Sequence, residues 1–191
     1  MIQNFDYALV DFAAKARENF GNVLTPIFKA ITLSGTVGAI FIIASIILII
    51  FKKTRKAGIT AGIALFFGLL ITNIALKNII ARPRPYADET SVYFRLWQSA
   101  GSLKESGFSF PSGHSTASTA FAVVLFIVFN KKYSFVFLFI PLIMGFTRIY
   151  FVVHYASDVI GGFAAGTIAA IGSYFTVKAL SRIKRLNKIL S

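Results

Sequence analysis

Residues 33–51 read LSGTVGAIFIIASIILIIF, a mostly apolar stretch without a charged side chain, and KKTRK follows at residues 52–56. A helix needs about 20 apolar residues to cross the hydrocarbon core of a bilayer. Four further stretches approach this length and apolarity: Gly58–Leu76, a segment after His114 that runs to Phe129, a segment from Tyr133 to Ile149, and Val159–Leu180. The sequence therefore predicts an all-α, polytopic membrane helical bundle with about five transmembrane helices.

The composition is that of a membrane protein. Of 191 residues, 56% are hydrophobic and 14% are charged, whereas an ordinary soluble domain has ~25% charged residues. The absence of cysteine excludes disulfides, thiolate nucleophiles and cysteine-ligated metal sites, and two histidines are too few for most all-histidine metal sites. No cleavable signal peptide is expected, because residues 1–30 lack a basic start followed by an apolar core.

The N-terminal segment has a different pattern. Apolar residues recur at helical spacing from Phe5 to Phe20, and charged residues such as Asp6 and Asp11 fall between them. One interpretation is an amphipathic helix lying in the membrane interface, and an equally supported one is a helix packed against the bundle. We assign residues 1–32 to this helix and residues 33–191 to the membrane domain.

The basic residues predict the orientation. Eleven of the 20 Lys and Arg residues, and none of the seven acidic ones, fall in the turn at 52–56, at 131–132 and in the tail. The tail residues are Lys178, Arg182, Lys184, Arg185 and Lys188. Cytoplasmic segments are enriched in Lys and Arg, so these segments are expected to be cytoplasmic. The net charge of +13 is then a topology signal in contact with anionic lipid, and nucleic acid is not an expected partner.

Three polar clusters fall on the opposite, outer side of the predicted bundle. They read KNIIARPRP at residues 77–85, FPSGH at 110–114 and TRIYFVVHYASD at 147–158. Polar residues near membrane depth are costly and usually functional. The three clusters are therefore expected to form one site.

The clusters carry groups suited to phosphate. Arginine presents a planar fork of donors that matches phosphate oxygens, and backbone N–H groups at a helix start bind oxyanions. The residues that supply positive charge and donors are Lys77, Arg82, Arg84 and Arg148, and Ser112 with the backbone around Gly113 suits an oxyanion.

Two histidines and one carboxylate are the candidate catalytic groups. On a helix, His154 and Asp158 lie one turn apart on the same face. Asp158 then accepts a hydrogen bond from one ring nitrogen and leaves the other directed at a substrate. His114 adds a second acid–base group.

These residues resemble the signatures of the type-two phosphatidic acid phosphatase superfamily, the lipid phosphate phosphatases. The family motifs are K-x6-R-P, P-S-G-H and S-R-x5-H-x3-D. They correspond here to Lys77…Arg84-Pro85, Pro111-Ser112-Gly113-His114 and Thr147-Arg148…His154…Asp158, with each spacing met. Thr147 replaces a serine but keeps the hydroxyl. The resemblance covers roughly residues 33–180, and the family's membrane members commonly have one span more than is predicted here.

The resemblance implies a mechanism. His154 attacks phosphorus and becomes phosphorylated, Asp158 orients it, and His114 protonates the leaving group and then activates water. Lys77, Arg84 and Arg148 hold the phosphate oxygens, and Ser112 and Gly113 add hydrogen bonds. Arg82 lies outside the motif spacing and is expected to be an exposed charge rather than a ligand. No metal and no other cofactor is required.

The expected reaction is hydrolysis of a lipid phosphate or polyprenyl diphosphate at the outer face of the cytoplasmic membrane. Undecaprenyl diphosphate is narrowly preferred over phosphatidylglycerophosphate and phosphatidic acid. A lipid phosphotransferase, a vanadate-dependent peroxidase and a non-enzymatic lipid-binding protein are weaker alternatives. The connection at residues 86–110 is expected to help set specificity.

Overall fold

The computed structural model describes residues 2–183, so Lys184, Arg185 and Lys188 of the predicted cytoplasmic tail lie outside the described residues. Within residues 2–183 the regular structure is helical and no strand forms. The helices are α1 (Ile2–Ser34), α2 (Ala39–Ile50), α3 (Arg55–Ile80), α4 (Val92–Ser99), α5 (Gly113–Val128), α6 (Lys131–Tyr150) and α7 (Ala156–Leu180).

The apolar helices of residues 2–183 differ in whether they are long enough to cross a membrane. By length and composition, α3, α6 and α7 can each cross a bilayer, and α5 is a shorter apolar helix of 16 residues. Helices α1 and α2 pass the same test only as a pair that is bent by 60°. The predicted all-α membrane bundle is confirmed.

The first predicted span, residues 33–51, is not one continuous helix. Helix α1 continues to Ser34, a 3₁₀ turn follows at Thr36–Gly38, and Gly38 has a left-handed φ of 73°. Only glycine adopts this conformation without steric cost, which explains why the chain breaks here. Helix α2 has 12 residues and is therefore roughly 18 Å long, shorter than the ~30 Å hydrocarbon core.

Helix α1 packs against α6 and also contacts α7. Its Val10 and Ala13 are fully buried, whereas Phe12 and Phe20 are exposed. These contacts are those of a helix packed against the bundle, the second of the two interpretations. Its depth in the membrane interface and the domain division at residue 32 stay predictions.

Helices α5 and α7 form the centre of the bundle, and α3 packs against both. A Cβ added to Gly162 would lie 2.7 Å from the carbonyl oxygen of Ser112, and one on Gly166 would lie 2.5 Å from that of Thr116. The G-x3-G pair of α7 is therefore used for close packing inside the monomer. This packing sets the first turn of α7 beside the first turn of α5.

Candidate active site

The three polar clusters meet at one end of the bundle. Lys77 near the end of α3, His114 in the first turn of α5 and His154 in the α6–α7 connection line one cavity of about 580 Å³. Arg84 and Glu105, from the connection between α3 and α5, also line it. A π-helical segment at Leu70–Leu76 lies directly before Lys77, and such segments often occur at functional sites.

His154 is 2% exposed, and its two ring nitrogens have different surroundings. Nδ1 lies 3.5 Å from Oδ2 of Asp158 and 3.4 Å from Oγ of Ser109. Nε2 lies 3.4 Å from Nη1 of Arg84. Burial lowers the pKa of His154 to about 4, so the imidazole is neutral at pH 7. The favoured tautomer carries its proton on Nδ1, facing the carboxylate.

Asp158 is fully buried and accepts hydrogen bonds on both oxygens. Oδ2 accepts from the Tyr155 N–H at 2.9 Å and from the Ser109 hydroxyl. Oδ1 accepts from Nη1 of Arg82 at 2.6 Å. Because Tyr155 is the N-cap of α7, the carboxylate that caps this helix also orients His154.

Arg84 is held by backbone carbonyls. Its Nε donates to Gly107 at 2.9 Å, Nη2 donates to Ser106 at 2.7 Å, and Nη1 donates to Val153 at 3.0 Å. Carbonyl partners fix the guanidinium without neutralising its charge. Arg84 therefore keeps a full positive charge beside Nε2 of His154.

Arg148 is completely buried near the end of α6. Its guanidinium donates to the Thr32 hydroxyl of α1 and forms an ion pair with Glu105. Burial alone would raise the pKa of Glu105, but the charge and hydrogen bond of Arg148 lower it overall, so Glu105 is ionised at pH 7. Among the described residues, Nε of Arg148 is a buried nitrogen without a hydrogen-bond partner.

His114 contacts the end of α1. Its Nε2 lies 3.2 Å from the carbonyl oxygen of Thr32, which accepts a hydrogen bond from the ring. The break after α1 brings Gly35 against the same ring. The predicted acid is therefore positioned by a part of the chain that carries none of the three motifs.

Of the two predicted ligands in the FPSGH cluster, Gly113 lines the cavity and Ser112 does not. Ser112 is the buried N-cap of α5, and its hydroxyl oxygen accepts from the backbone and the hydroxyl of Ser115. Phosphate binding by Ser112 stays a prediction. The helix start at Gly113 offers backbone N–H groups to an anion.

The expectation that Arg82 is an exposed charge is wrong. Its side chain is 25% exposed and forms ion pairs with Asp6 and Asp158. Sequence reasoning also missed Ser109 and Thr32, which bind the motif residues directly. Arg82 and Ser109 lie within or next to the first two motifs in sequence, and this position could have identified them as site residues. Nothing in the local sequence distinguishes Asp6 or Thr32.

The connection between α3 and α5 carries Trp97, which packs inside the protein. Its ring is buried and stacks on Tyr86 with centroids 4.6 Å apart, and its Nε1 donates to the carbonyl of Leu103 at 2.8 Å. The connection is thus a packed cap over the site. Its role in specificity stays a prediction.

Comparison with known proteins identifies the family of this chain. The model of the PAP2 superfamily matches residues 57–182, more than half of the chain. An undecaprenyl-diphosphatase of Sulfolobus acidocaldarius is 26% identical over 151 residues, which cover 79% of this chain and 69% of that protein.

Two solved structures are similar in fold. LpxE of Aquifex aeolicus has a TM-score of 0.72 and 25% identity, covering 88% of this chain and 94% of that chain. A transmembrane PAP2-type phosphatidylglycerolphosphate phosphatase of Bacillus subtilis has a TM-score of 0.67 and 25% identity, covering 95% and 89%. Because the family match spans the helices that carry all three polar clusters, the chain belongs to the PAP2 superfamily and is a membrane lipid phosphatase.

Proposed function

We propose that the chain releases phosphate from a lipid phosphate or polyprenyl diphosphate through a phosphohistidine on His154, without a metal ion. The observation that carries the proposal is the orientation of the His154 ring. Nδ1 faces Asp158 at 3.5 Å, while Nε2 lies beside Arg84 at the cavity. A neutral imidazole with its proton on Nδ1 keeps the Nε2 lone pair for attack on phosphorus.

In the first step, Nε2 of His154 forms a bond to phosphorus as the bond from phosphorus to the leaving oxygen breaks. Lys77, Arg84 and Arg148 stabilise the negative charge on the phosphoryl oxygens. Arg148 does not line the cavity, and both of its terminal nitrogens bind protein oxygens. Its buried Nε, which has no hydrogen-bond partner within residues 2–183, is therefore the donor that it offers to a phosphoryl oxygen. These cations supply the charge compensation that a metal supplies in other phosphoryl-transfer enzymes.

His114 moves the proton in both steps. The Thr32 carbonyl accepts from Nε2–H of His114, which leaves Nδ1 to exchange a proton with the substrate. The ring begins the cycle as an imidazolium, gives its Nδ1 proton to the leaving oxygen and becomes neutral with its remaining proton on Nε2. It then accepts a proton from the water that attacks the phosphohistidine, which frees phosphate and restores His154.

We propose undecaprenyl diphosphate as the substrate, narrowly ahead of phosphatidylglycerophosphate and phosphatidic acid. Away from its polar residues the cavity is lined by apolar side chains, which suit a hydrocarbon chain. They include Ile42, Ile46 and Ile49 of α2 and Leu65, Phe66 and Leu69 of α3. The similar proteins named as undecaprenyl-diphosphatase and phosphatidylglycerolphosphate phosphatase support the two leading candidates.

We propose further that the site faces outward from the cytoplasmic membrane. The support is that the basic turn and the site lie at opposite ends of α3, which begins at Arg55 of the basic turn and carries Lys77 near its other end. Twenty-six residues of helix extend roughly 39 Å, enough to cross a bilayer. The basic turn is then cytoplasmic by the positive-inside rule.

The test is phosphate release by the purified protein from a panel of undecaprenyl diphosphate, phosphatidylglycerophosphate, phosphatidic acid and lysophosphatidic acid, with EDTA present. His154→Ala is the inactive variant, and Asp11→Asn, on the outside of α1, is the control. Release that survives EDTA and disappears in His154→Ala supports the proposal, and the fastest lipid identifies the substrate. A requirement for a divalent cation contradicts it, and transfer only to an added alcohol indicates a phosphotransferase.

A further inference from the structure

Arg82 joins the N-terminal helix to the carboxylate that faces the proposed nucleophile. Its Nη1 donates to Oδ1 of Asp158 at 2.6 Å, and its Nη2 donates to Oδ2 of Asp6 at 2.8 Å. Asp6 belongs to the beginning of α1, and Asp158 belongs to the first turn of α7. One guanidinium therefore connects two elements that are remote in sequence.

Asp6 is anchored to α7 by two more hydrogen bonds. Its Oδ1 accepts from the backbone N–H of Ser157 at 2.7 Å, and its Oδ2 accepts from the Ser157 hydroxyl at 2.9 Å. The residue is 1% exposed. A buried carboxylate is tolerated only when it is paired and hydrogen-bonded, and both conditions are met here.

Arg82 is not arranged as a phosphate ligand. Nη1 and Nη2 are both bound to oxygen atoms of the protein, and Nη1 also donates to the Ser157 hydroxyl at 2.7 Å. The guanidinium carbon lies 3.8 Å from the centroid of the Tyr155 ring. Lys77 and Arg84 line the cavity, and Arg82 is not among its lining residues.

The contact with Arg82 fixes the orientation of the Asp158 carboxylate. Its Oδ2 faces His154 at 3.5 Å, and its Oδ1 is held by Arg82. A ligand on the far oxygen fixes the plane of the carboxylate, in the way that outer partners orient the groups which act on a substrate. Loss of this ligand would leave the carboxylate free to turn away from Nδ1 of His154.

We propose that Arg82 and Asp6 are positioning residues, which hold Asp158 in the plane that orients His154 for attack and make α1 a working part of the active site. This inference rests on the proposed role of His154 as the nucleophile. Neither residue touches the substrate. Their effect is therefore on the rate of the chemical step rather than on substrate binding.

The experiment compares Arg82→Gln, Arg82→Lys and Asp6→Asn in the full chain, purified in detergent. Arg95→Gln and Asp11→Asn are matched controls, since Arg95 is exposed on α4 and Asp11 forms a surface ion pair on the same helix as Asp6. We expect Arg82→Gln and Asp6→Asn each to lower kcat about 10- to 100-fold and to leave KM within about twofold.

Two further measurements separate positioning from general damage. Arg82→Lys retains the charge and is expected to recover part of kcat. Asp6→Asn added to Arg82→Gln is expected to lower kcat by less than the product of the two single effects, because both changes break the link between Asp6 and Arg82. Unfolding midpoints identify any variant that does not fold. If Arg82→Gln does not fold, the kcat values of Asp6→Asn and Arg82→Lys test the positioning role instead.

Asp6→Asn with the kcat of Asp11→Asn would overturn the proposal. A rise in KM with kcat unchanged in Arg82→Gln would also overturn it and would make Arg82 a substrate ligand. Failure of the proposed function looks different, because the wild-type protein would then release no phosphate or His154→Ala would remain active. An active wild type, an inactive His154→Ala and unaffected Arg82 and Asp6 variants defeat the positioning role alone.

Discussion

The carbonyl oxygen of Thr32 lies 3.2 Å from Nε2 of His114, so the last turn of the N-terminal helix holds the proposed acid. The chain breaks directly afterwards, and the break needs a residue without a side chain. A Cβ on Gly35 would lie 3.0 Å from Cδ2 of His114 and 2.6 Å from Cε of Met144.

Gly35→Ala is therefore expected to move the His114 ring and to lower kcat about tenfold. Gly21→Ala, within α1, is the control, since a Cβ at Gly21 has no contact closer than 3.5 Å. Steady-state hydrolysis of the best lipid substrate measures the effect. Equal kcat values for the two variants would contradict the importance of the close approach.

The ion pair between Glu105 and Arg148 predicts an effect on stability. In Glu105→Ala the completely buried Arg148 loses its counter-charge, which is expected to cost about 1–3 kcal/mol. Glu89→Ala, an exposed residue of the same connection, is the control. The single tryptophan, Trp97, is buried and reports unfolding by its fluorescence. An unfolding midpoint of Glu105→Ala equal to that of Glu89→Ala would refute the prediction.

Close packing of α7 on α5 predicts opposite results for two glycines of α7. A Cβ on Gly166 would lie 2.5 Å from the backbone oxygen of Thr116, so Gly166→Ala is expected to lower the unfolding midpoint. A Cβ on Gly172 would meet the Phe67 ring at 3.6 Å, an ordinary contact. Gly172→Ala is expected to keep or raise the unfolding midpoint, because alanine is more favourable than glycine inside a helix by about 1 kcal/mol. Destabilisation by Gly172→Ala alone would contradict this packing.

Burial of His154 predicts a dependence of stability on pH. Its pKa is about 4 in the folded protein and ~6.5 in an unfolded chain. Between these values the unfolded state binds more protons, so the free energy of unfolding falls as pH falls through this window. His154→Gln removes this contribution. As pH falls from ~6.5 to ~4, the unfolding midpoint of the wild type is therefore expected to decrease more steeply than that of His154→Gln. Identical slopes for the two proteins would contradict this prediction.

Local spacing predicted part of the lining of the cavity, although Arg148, Ser112 and Asp158 among the predicted site residues do not line it. Lys77, Arg84, His114 and His154 come from motifs whose fixed spacing reflects the ends of three helices, and they lie together as expected. Hydropathy likewise predicted the apolar helices, because a lipid-facing helix must be apolar along its whole length.

The contribution of the N-terminal helix could not be predicted from local pattern. The sequence pattern predicts that Asp6 lies on the polar face of an amphipathic helix. The carboxylate is instead buried, because it forms an ion pair with Arg82 and accepts a hydrogen bond from Ser157. Hydropathy also did not predict the break at Thr36–Gly38, because glycine and threonine are nearly neutral on a hydropathy scale. The break arises because Gly38 adopts a left-handed conformation that changes the direction of the chain. Both features depend on long-range contacts that a sequence window does not contain.

A phosphohistidine on His154 is tested most directly by trapping it. The protein would be mixed for milliseconds with substrate carrying a labelled phosphate, quenched in alkali, in which phosphohistidine is stable, and digested for mass spectrometry. The proposed mechanism predicts the label on the peptide that contains His154 and no label in His154→Ala. Label on another residue, or full activity in His154→Ala, would contradict it.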